Sequence, residues 1–484
     1  MKSCLFILFL FLCFSAFAQQ TPYQAFDVDS AAEPRGGMAY LTTFIQANLR
    51  KPIAAEAVGT SGLVIVGGTV EPDGHITNVT VMKSLRPDCD REAARVFRLF
   101  NAWKPAQRGG KLVRQQVSIP VRFTPNTPFA YMNGTQILYL TADLSVLTDS
   151  TKRVKFKQIS PVDTNGLPNG DLVVFKLVNN KWEEYTRDSL VRRPNGQTDG
   201  AEKPVFSVGH QLAMKGLSGC QYIVSASGGI LSEQCYKAGK PVGLQLIYHL
   251  NGVLARRNEE IGSRRISTLW YANGQIQQVQ ETNISGPLDP FTTKFIAFWD
   301  STGQQFVKNG DGSVKNAPNI RARYDKGDEV FVQEQGTYKD YLKHGTWTGR
   351  SVDNAYYYEE QYNNGVLLSG KSYINGQDTT LYNVEDRPPT FPGGTQGLGR
   401  FLGDNLQYPA DAQRSGAQGT VLLGFSVCTD GTLCDYTVLK SVHPNIDKEA
   451  LRVVQKTSGR WQPAIQDGKK VKVRFVMPVN FHLQ

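Results

Sequence analysis

The chain has 484 residues, which is too long for one compact core and predicts about three domains. With 40% apolar and 20% charged residues, its composition is that of a globular protein, so long disordered tracts are not expected. The formal net charge of +10 is diffuse, which predicts solubility, with attraction to anionic envelope surfaces as the weaker alternative. The chain contains no recognised nucleic-acid motif, so nucleic acid is not an expected partner.

The N-terminus has the pattern of a secretory signal. Lys2 provides a positive start, residues 5–14 are apolar, and residues 16–18 place alanines where a signal peptidase reads small side chains. The apolar run from 4 to 18 is 15 residues long, whereas a helix needs ~20 to cross the hydrocarbon core. The sequence therefore predicts a signal peptide over residues 1–18, its cleavage, and a mature protein in the periplasm.

Residues 34–125, here called the first module, have the pattern of a small α+β domain. One helix carries an apolar stripe made of Leu41, Phe44, Ile45 and Leu49. Pro52 is expected to end this helix, and Asp73-Gly74 predicts the turn of a following hairpin. A second helix is expected to open at Asp90 as its N-cap, and a long last strand to end at Phe123. These elements predict a three-stranded antiparallel sheet with helices on one face.

Residues 130–382, the middle region, are predicted to be rich in strands and hairpins. They divide into a β-rich part over 130–236 and a hairpin-repeat part over 237–382. In the second part an aromatic residue is followed within a few positions by Asn-Gly or Thr-Gly, at Tyr248, Tyr271, Trp299 and Tyr362. Aromatic strands joined by such turns predict a meandering antiparallel sheet.

One segment of the middle region, residues 365–372, formally matches the P-loop pattern. A phosphate-binding loop must follow a buried strand and open a helix, so that backbone amides and the helix dipole meet the phosphates. This segment follows an Asn-Asn turn and runs into the next turn at Asn375-Gly376. It is predicted to belong to a hairpin, and no nucleotide is expected as a partner.

Residues 386–484, the second module, repeat the first. Residues 393–481 align with 36–123 after one single-residue insertion. The matched pairs are Gly36 and Gly393, Asn48 and Asn405, Pro52 and Pro409, Asp73 and Asp430, Trp103 and Trp461, and Phe123 and Phe481. The predicted fold class is therefore α+β, with a small three-stranded sheet-and-helix module at each end of a β-rich hairpin-repeat middle.

The second module resembles the TonB C-terminal domain family in its Bacteroidetes-like version. The residues that carry the resemblance are Phe391-Pro392-Gly393-Gly394, Tyr408-Pro409, Gly419, Asp430-Gly431, Asp447-Lys448-Glu449-Ala450, Trp461-Gln462-Pro463 and Pro478-Val479-Asn480-Phe481. The first module departs from this pattern, with Pro34-Arg35 in place of Phe-Pro and Lys51 in place of the tyrosine. From about 237 to 376, the middle region is similar to MORN-type repeats.

Members of the TonB C-terminal family capture an extended peptide from an outer-membrane receptor on the edge of their sheet. The resemblance implies a binding edge over residues 471–478 and a neighbouring segment over 405–408. The implied peptide-binding residues are Asn405, Gln407, Tyr408, Val471, Lys472, Val473, Arg474 and Phe475. Lys472 and Arg474 are expected to favour an acidic or polar peptide, and the first module is expected to bind more weakly or not at all. The implied function is that of a periplasmic adaptor in TonB-linked transmembrane transport.

Two other functions fit the same sequence. One is a structural envelope protein without a transport role, and the other is a membrane-anchored energy transducer, if the signal is retained. The middle region is expected to be a rigid spacer, with a lipid-binding or second partner-binding surface as the alternative. The chain contains no recognised catalytic or metal-ligand pattern, so neither an enzyme nor a cofactor or metal is expected.

Five cysteines lie beyond the predicted signal: Cys89, Cys220, Cys235, Cys428 and Cys434. This odd number leaves at least one thiol unpaired in an oxidising compartment. Cys428 and Cys434 are predicted to form a disulfide across the Asp430-Gly431 turn. The geometry requires a loop longer than two residues, since a two-residue turn would place them diagonally.

Overall fold

The computed structural model describes residues 21–124, 129–147, 153–195, 204–210, 218–237, 240–284, 293–323, 328–374 and 379–482. The predicted signal peptide lies outside these residues. The chain divides into two compact units, of which the first comprises the residues up to Arg257 with Leu269–Ile276 and Ser301–Gly303, and the second comprises the remainder. None of the helices in the described segments is long and apolar enough to cross a membrane.

The first module belongs to the first unit and contains the predicted three-stranded sheet. A 3-10 turn at Ala25–Asp27 precedes its regular elements. These are β1 (Glu33–Pro34), α1 (Gly37–Asn48), α2 (Ile53–Ala57), β2 (Gly62–Val70), β3 (Ile76–Lys83), α3 (Pro87–Leu99), β4 (Trp103–Lys104), β5 (Ala106–Arg108), β6 (Lys111–Val113) and β7 (Gln115–Phe123). β2 is central and antiparallel to both neighbours, which leaves β3 and β7 at the edges of this three-stranded sheet.

The helices bury their apolar stripes against one face of this sheet. Val64, Val66 and Val70 of β2, which share one face of the strand, are fully buried beneath the helices. From the helices, Leu41, Phe44 and Ile45 of α1 and Phe97 of α3 complete the core. The predicted fold of this module is therefore correct.

Two predicted boundaries are wrong. α3 begins at Pro87, three residues before the expected N-cap Asp90, because proline is well suited to the first helical turn. Asp90 instead accepts a hydrogen bond from the backbone N–H of Leu85 at 3.0 Å and tethers the preceding loop. α1 ends at Asn48, before Pro52, and Pro52 is the residue at which the short helix α2 starts.

The middle region within the first unit consists of antiparallel strands. A five-stranded sheet contains β8 (Ala130–Met132), β9 (Thr135–Leu140), β10 (Phe156–Pro161), β11 (Leu172–Val178) and β12 (Lys181–Asp188) in consecutive order. Five further strands pair consecutively: β13 (Leu190–Asn195), β14 (Val205–His210), β15 (Ser218–Ser225), β16 (Ile230–Lys237) and β17 (Lys240–Tyr248). Two more, β18 (Leu254–Ile261) and β19 (Arg264–Trp270), contribute residues to both units.

The second unit continues the hairpin pattern up to residue 382. Its strands are β20 (Ile276–Asn283, without its first residue), β21 (Thr293–Trp299), β22 (Gln305–Lys308), β23 (Asp311–Arg323), β24 (Asp328–Lys339), β25 (Leu342–Ser351), β26 (Tyr356–Asn363), β27 (Val366–Ile374) and β28 (Thr380–Tyr382). Each pairs with the next in antiparallel fashion. The hairpin prediction for residues 365–372 is correct, since this segment lies largely in β27 and Lys371 pairs with Glu359 of β26 at 3.1 Å.

The second module also lies in the second unit and repeats the first strand for strand. Its elements are α4 (Gly394–Asn405), α5 (Ala410–Arg414), β29 (Gly419–Val427), β30 (Leu433–Lys440), α6 (Pro444–Gln455), β31 (Ala464–Gln466), β32 (Lys469–Val471) and β33 (Val473–Phe481). The sheet order is β30-β29-β33. Gly419 pairs with Phe481 just as Gly62 pairs with Phe123 in the first module. The second helix again begins at the proline, Pro444, and not at the expected Asp447.

The cysteines are distributed over both units. Cys428 and Cys434 are bonded across a five-residue loop between β29 and β30, with their Cα atoms 6.8 Å apart. Cys220 and Cys235 lie directly opposite each other on β15 and β16 and form a second disulfide that sequence analysis did not identify. Cys89 is a free, buried thiol, and burial raises its pKa to about 11, so its reactive thiolate form is strongly disfavoured.

Candidate functional site

The last strand of the second module, β33, lies at an edge of its sheet. It pairs with β29 on one side, and among the described residues no strand lies on its other side. Pro478 lies opposite Leu422. Because proline has no N–H to donate to β29, it occupies a position whose backbone groups point away from that strand. The same alternation directs the N–H and C=O groups of Arg474, Val476 and Asn480 outward, so β33 presents a row of hydrogen-bonding groups.

This edge differs in its bounds from the predicted edge over residues 471–478. Val471 belongs to β32, where it pairs with Ala464 in a separate hairpin. Lys472 connects β32 to β33, and the edge strand proper runs from Val473 to Phe481. Val473 and Phe475 direct their side chains towards the core, where Phe475 packs against Phe425 at 5.6 Å between ring centroids. Their backbone groups point towards β29, with which they pair, and so are not available to a guest strand.

The charge at this edge is smaller than the sequence suggests. The Lys472 Nζ atom lies 2.6 Å from the Asp435 carboxylate, with about half of each side chain exposed. The hydrogen bond from Lys472 holds the pKa of Asp435 below its usual value. Since this pair is locally neutral, only Arg474 on the exposed face of β33 remains as a cation without an ion-pair partner among the described residues. The preference for an acidic or polar peptide, to which Lys472 and Arg474 are expected to contribute, stays a prediction.

The segment after α4 is fixed to α6 by an ion pair. Glu449 accepts a hydrogen bond from the Gln407 backbone N–H at 2.6 Å, and Arg452 donates to the Asn405 carbonyl at 2.8 Å and to Glu449. Although burial alone would raise it, the hydrogen bonds from Arg452 and the Gln407 amide hold the pKa of Glu449 below its usual value. This role of Glu449 was not evident from sequence, because its contact with residue 407 joins two elements.

Tyr408 connects this segment to the end of β33. Its hydroxyl donates to the Ala417 carbonyl, and its ring packs edge-on against Phe481, with 5.6 Å between the centroids. Thus Asn405, Gln407 and Tyr408 lie at the far end of the edge strand from Val471 and Lys472. The predicted residues form the surroundings of one strand edge and do not converge on a single pocket.

The helix beside this edge has no side chains at two successive turns. Gly399 and Gly403 of α4 face open space, with no atom within 4 Å of where a Cβ atom would lie. Their counterparts in α1 are Thr42 and Gln46. Gln46 donates from its Nε2 atom to the carbonyl of Arg122 on β7 at 3.2 Å, and so occupies an outward group of that edge. Gly403 has no side chain that could make this bond, and no other described residue occupies the corresponding end of β33.

The other end of the β7 edge is also occupied, by the chain itself. Tyr23 pairs with Gln115 in parallel orientation. Its N–H donates to the Arg114 carbonyl at 2.9 Å, and its carbonyl accepts from the Gln116 N–H at 2.9 Å. The first module therefore has an edge capped at both ends, and the second module has an edge that is open along its length in the described structure.

Both modules match one protein family in sequence. Residues 48–125 and 404–483 match the family model of the Gram-negative bacterial TonB protein C-terminal. Each end module is thus similar in sequence to the TonB C-terminal domain over most of its length. No curated protein matches the chain.

Two solved structures are similar to this chain, both NMR structures of the Helicobacter pylori TonB C-terminal domain. One is 22% identical, with 19% of this chain and 80% of that chain covered, at a TM-score of 0.16. The other is 20% identical, with 18% and 91% covered, also at 0.16. The similarity of the middle region to MORN-type repeats stays a prediction.

Proposed function

We propose that the second module binds an extended peptide of an outer-membrane receptor, or of another envelope protein, along β33. The observation that carries this proposal is the difference between the two edges. Two copies of one module share the same register, but the chain's own residues occupy outward groups of β7, whereas no described residue occupies those of β33. An open edge strand is a template for a guest strand, which would add through main-chain hydrogen bonds.

The guest would find donors at Arg474, Val476 and Asn480, and acceptors at these residues and Pro478. Pro478 interrupts the row of donors and so limits the ways in which a strand can pair in register. On the helix side, the open space over Gly399 and Gly403 leaves room for a guest side chain. On the opposite face, Val476 is 50% exposed and would contact the guest's outward side chains.

Val476→Pro tests the edge directly, since it removes one outward donor without changing a core side chain. The full-length protein would be titrated with synthetic peptides from outer-membrane receptors of the same organism. We expect Val476→Pro to weaken the tightest interaction at least tenfold, which corresponds to about 1.4 kcal/mol. Val476→Ala keeps the amide and is the matched control, expected to bind within about twofold of the parent, a free-energy change of about 0.4 kcal/mol. Equal binding by folded Val476→Pro and Val476→Ala would show that the edge is not the site.

The wider role that we propose is a periplasmic adaptor in TonB-linked transport, acting by protein binding rather than catalysis and without a cofactor. It is supported by the secretory pattern of residues 1–18 and by the similarity of both end modules to the TonB C-terminal domain. Mass spectrometry of the native protein would test it, with a mature N-terminus at Gln19 as the expected result. Retention of residues 1–18 would favour the anchored energy transducer, and affinity capture without any outer-membrane receptor would favour the structural envelope protein.

A further inference from the structure

We propose that the first module contains a second peptide-binding edge, which the chain's own segment Tyr23–Gln24 occupies as an internal strand ligand. This inference is independent of the second module's function. It concerns the β7 edge and predicts that a peptide in trans can replace the internal segment.

The backbone contacts of Tyr23 have the geometry of strand addition. Its N–H and C=O bond to Arg114 and Gln116, the two residues that flank its partner Gln115. This slanted pair of bonds to alternate residues is the repeating unit of a parallel ladder. The segment is therefore attached to β7 as a guest strand would be, although it makes only one such unit before the chain turns away at Ala25–Asp27.

Side chains give the segment some specificity. The Arg108 guanidinium lies over the Tyr23 ring, 4.7 Å from its centroid, a cation–π contact that requires an aromatic residue at this position. Gln24 donates from Nε2 to Oε1 of Gln116 at 2.8 Å. A ligand that replaces the segment should accordingly carry an aromatic residue followed by a polar one.

The internal segment is held weakly. The turn at Ala25–Asp27 buries none of its residues, and Phe26 is 85% exposed. Few buried apolar contacts and exposed hydrogen bonds are the features of a segment that opens locally at low cost in free energy. Displacement of Tyr23 would therefore leave the core of the module intact.

A longer guest would have more to bind than the internal segment uses. Beyond Gln116, β7 continues through Ser118 and Pro120, beside a groove of about 270 Å³ between α1 and β7. The groove is lined by Met38, Leu41, Ile45, Ile119, Pro120 and Arg122, with other residues of α1 and β2. A peptide that stays extended where the chain itself turns away would reach this groove with an apolar side chain. The ligand class is thus an extended peptide with an aromatic residue and, further along, an apolar residue.

The second module supports the interpretation that the segment is an added strand and not a part of the fold. Thr380 stands as many residues before Gly393 as Tyr23 stands before Gly36, and it lies in β28, paired with Ser372 of β27. In the part of the chain that the structure describes, no segment adds to the β33 edge in this way, and the module nevertheless has the same sheet and register. The fold of a module does not depend on the internal strand.

The test is complementation in trans. A protein that starts at Val28 would be compared with one that starts at Thr21, both carrying Val476→Pro so that binding is assigned to the first module. The probe is a fluorescent peptide with the chain's own sequence 21–27, and binding is measured by anisotropy. We expect the shorter protein to bind at least tenfold more tightly than the longer one.

Two controls make the site specific. Gln116→Pro in the shorter protein removes the outward N–H that bonds the Tyr23 carbonyl and should abolish binding. A peptide with alanine in place of Tyr23 should bind several-fold more weakly because it loses the contact with Arg108. Should the shorter protein not fold, a full-length Tyr23→Gly variant, which weakens only the internal strand, should still gain affinity for the peptide. The internal-ligand proposal would be refuted if the folded long and short proteins bound the peptide with equal affinity. It would also be refuted if, the shorter protein having failed to fold, Tyr23→Gly gained no affinity for the peptide. Neither result would affect the β33 proposal.

Discussion

The two copies of the module share one fold and one register, yet each packs against the middle region of its own unit through a different face. In the first module the helix face is covered, since Asn48 is 3% exposed and accepts a hydrogen bond from the Leu254 N–H at 2.7 Å. In the second module the side-chain oxygen of the corresponding Asn405 accepts no hydrogen bond among the described residues, and its side chain donates only within its own helix. Phe401, which corresponds to the buried Phe44, is only partly buried and lies under the Arg460 guanidinium at 4.7 Å. The two copies thus have the same fold but expose different surfaces to solvent.

The second module is attached instead through the turn between β31 and β32. The Asp467 N–H donates to Asp386 at 2.6 Å, and the Tyr356 hydroxyl donates to Asp467 at 3.0 Å. Beneath them Arg321 pairs with Glu360 at 2.7 Å and with Asp386 at 3.3 Å. The corresponding turn of the first module, at Gly109–Gly110, is exposed. The turn that is exposed in the first module thus contacts the middle region in the second module. Substitutions in either module can test this difference.

The largest expected effect is that of Arg321→Met. It removes the cation from a cluster in which Glu360 is 2% exposed, and leaves buried carboxylates without their ion-pair partner. Breaking a buried pair from one side costs about 3–5 kcal/mol, so urea denaturation should show a loss of this order for the second unit. The control is Arg414→Met, whose pair with Asp411 is exposed at 76% and 61% and is worth under about 1 kcal/mol. Similar losses in both variants would mean that the cluster is not a stabilising contact.

The same cluster should make the second unit sensitive to pH. Burial, only partly offset by Arg321, raises the pKa of Asp386 from 3.8 to about 6. The folded state therefore binds the Asp386 proton more tightly than the unfolded state does, and protonation of Asp386 stabilises the fold. This contribution is fully present below pH 3.8 and is lost as pH rises through about 6. A shift of this size corresponds to about 3 kcal/mol.

The measurement is the free energy of unfolding of the second unit between pH 4 and 7, in the parent and in Asp386→Asn. The parent should lose stability across this window. The variant should lack that part of the slope, whatever its absolute stability. An unchanged slope would assign the pH dependence to other groups.

Two equivalent substitutions, one in each module, compare the helix faces directly. Asn48→Leu removes the acceptor for the buried Leu254 N–H, and an unsatisfied buried donor costs about 1–3 kcal/mol. Asn405→Leu loses an equivalent side-chain bond to its own helix, 2.9 Å long in both copies, but no contact to another element. Denaturation of both variants should therefore show a clearly greater loss for Asn48→Leu. Equal losses would show that Asn48 contributes only within its helix.

The smallest expected difference concerns two hairpin turns. Gly274 has φ +90°, and a Cβ atom there would lie 2.9 Å from the Phe44 ring and 3.1 Å from the Phe100 ring. Gly252 has φ +85° in a similar turn, with nothing within 4 Å. Both alanine variants carry the strain of a left-handed backbone, so the difference between them isolates the contact with the first module. We expect Gly274→Ala to be less stable by about 1–2 kcal/mol in thermal denaturation. No difference between the two would mean that this turn is loosely packed.

Much of the fold could be predicted from sequence because its signals are local. The alternation of Val64 and Val66, the helical spacing of Leu41 and Ile45 and the Asp-Gly turns each depend on neighbouring residues. The Asp430-Gly431 turn illustrates this, since Gly431 has a φ of +84°, a backbone conformation that glycine adopts without steric cost. The predicted starts of the second helix of each module were wrong because both a proline and an aspartate can mark a helix start. The helices begin at the proline, three residues before the aspartate.

Part of the candidate site was predictable for the same reason. Duplicated residues such as Asn48 and Asn405 identified the modules, and the family pattern pointed to the last strand as the edge. The pairing of Lys472 with Asp435 and the support of Gln407 by Glu449 were not predictable, because each joins elements that sequence patterns treat separately. The disulfide between Cys220 and Cys235 depends likewise on the register of two strands.

The sequence by itself determined that this protein has two copies of one module around a hairpin-rich middle, since periodicity, turns and duplication are properties of the chain. Only the tertiary structure decided which edges and faces of those copies remain open. That outcome depends on contacts between distant residues, such as Asn48 with Leu254 and Arg35 with Thr302, 206 and 267 positions apart. Contacts of this kind leave no local pattern, because each partner needs only one suitably placed polar or apolar group. Two modules with the same fold therefore expose different surfaces.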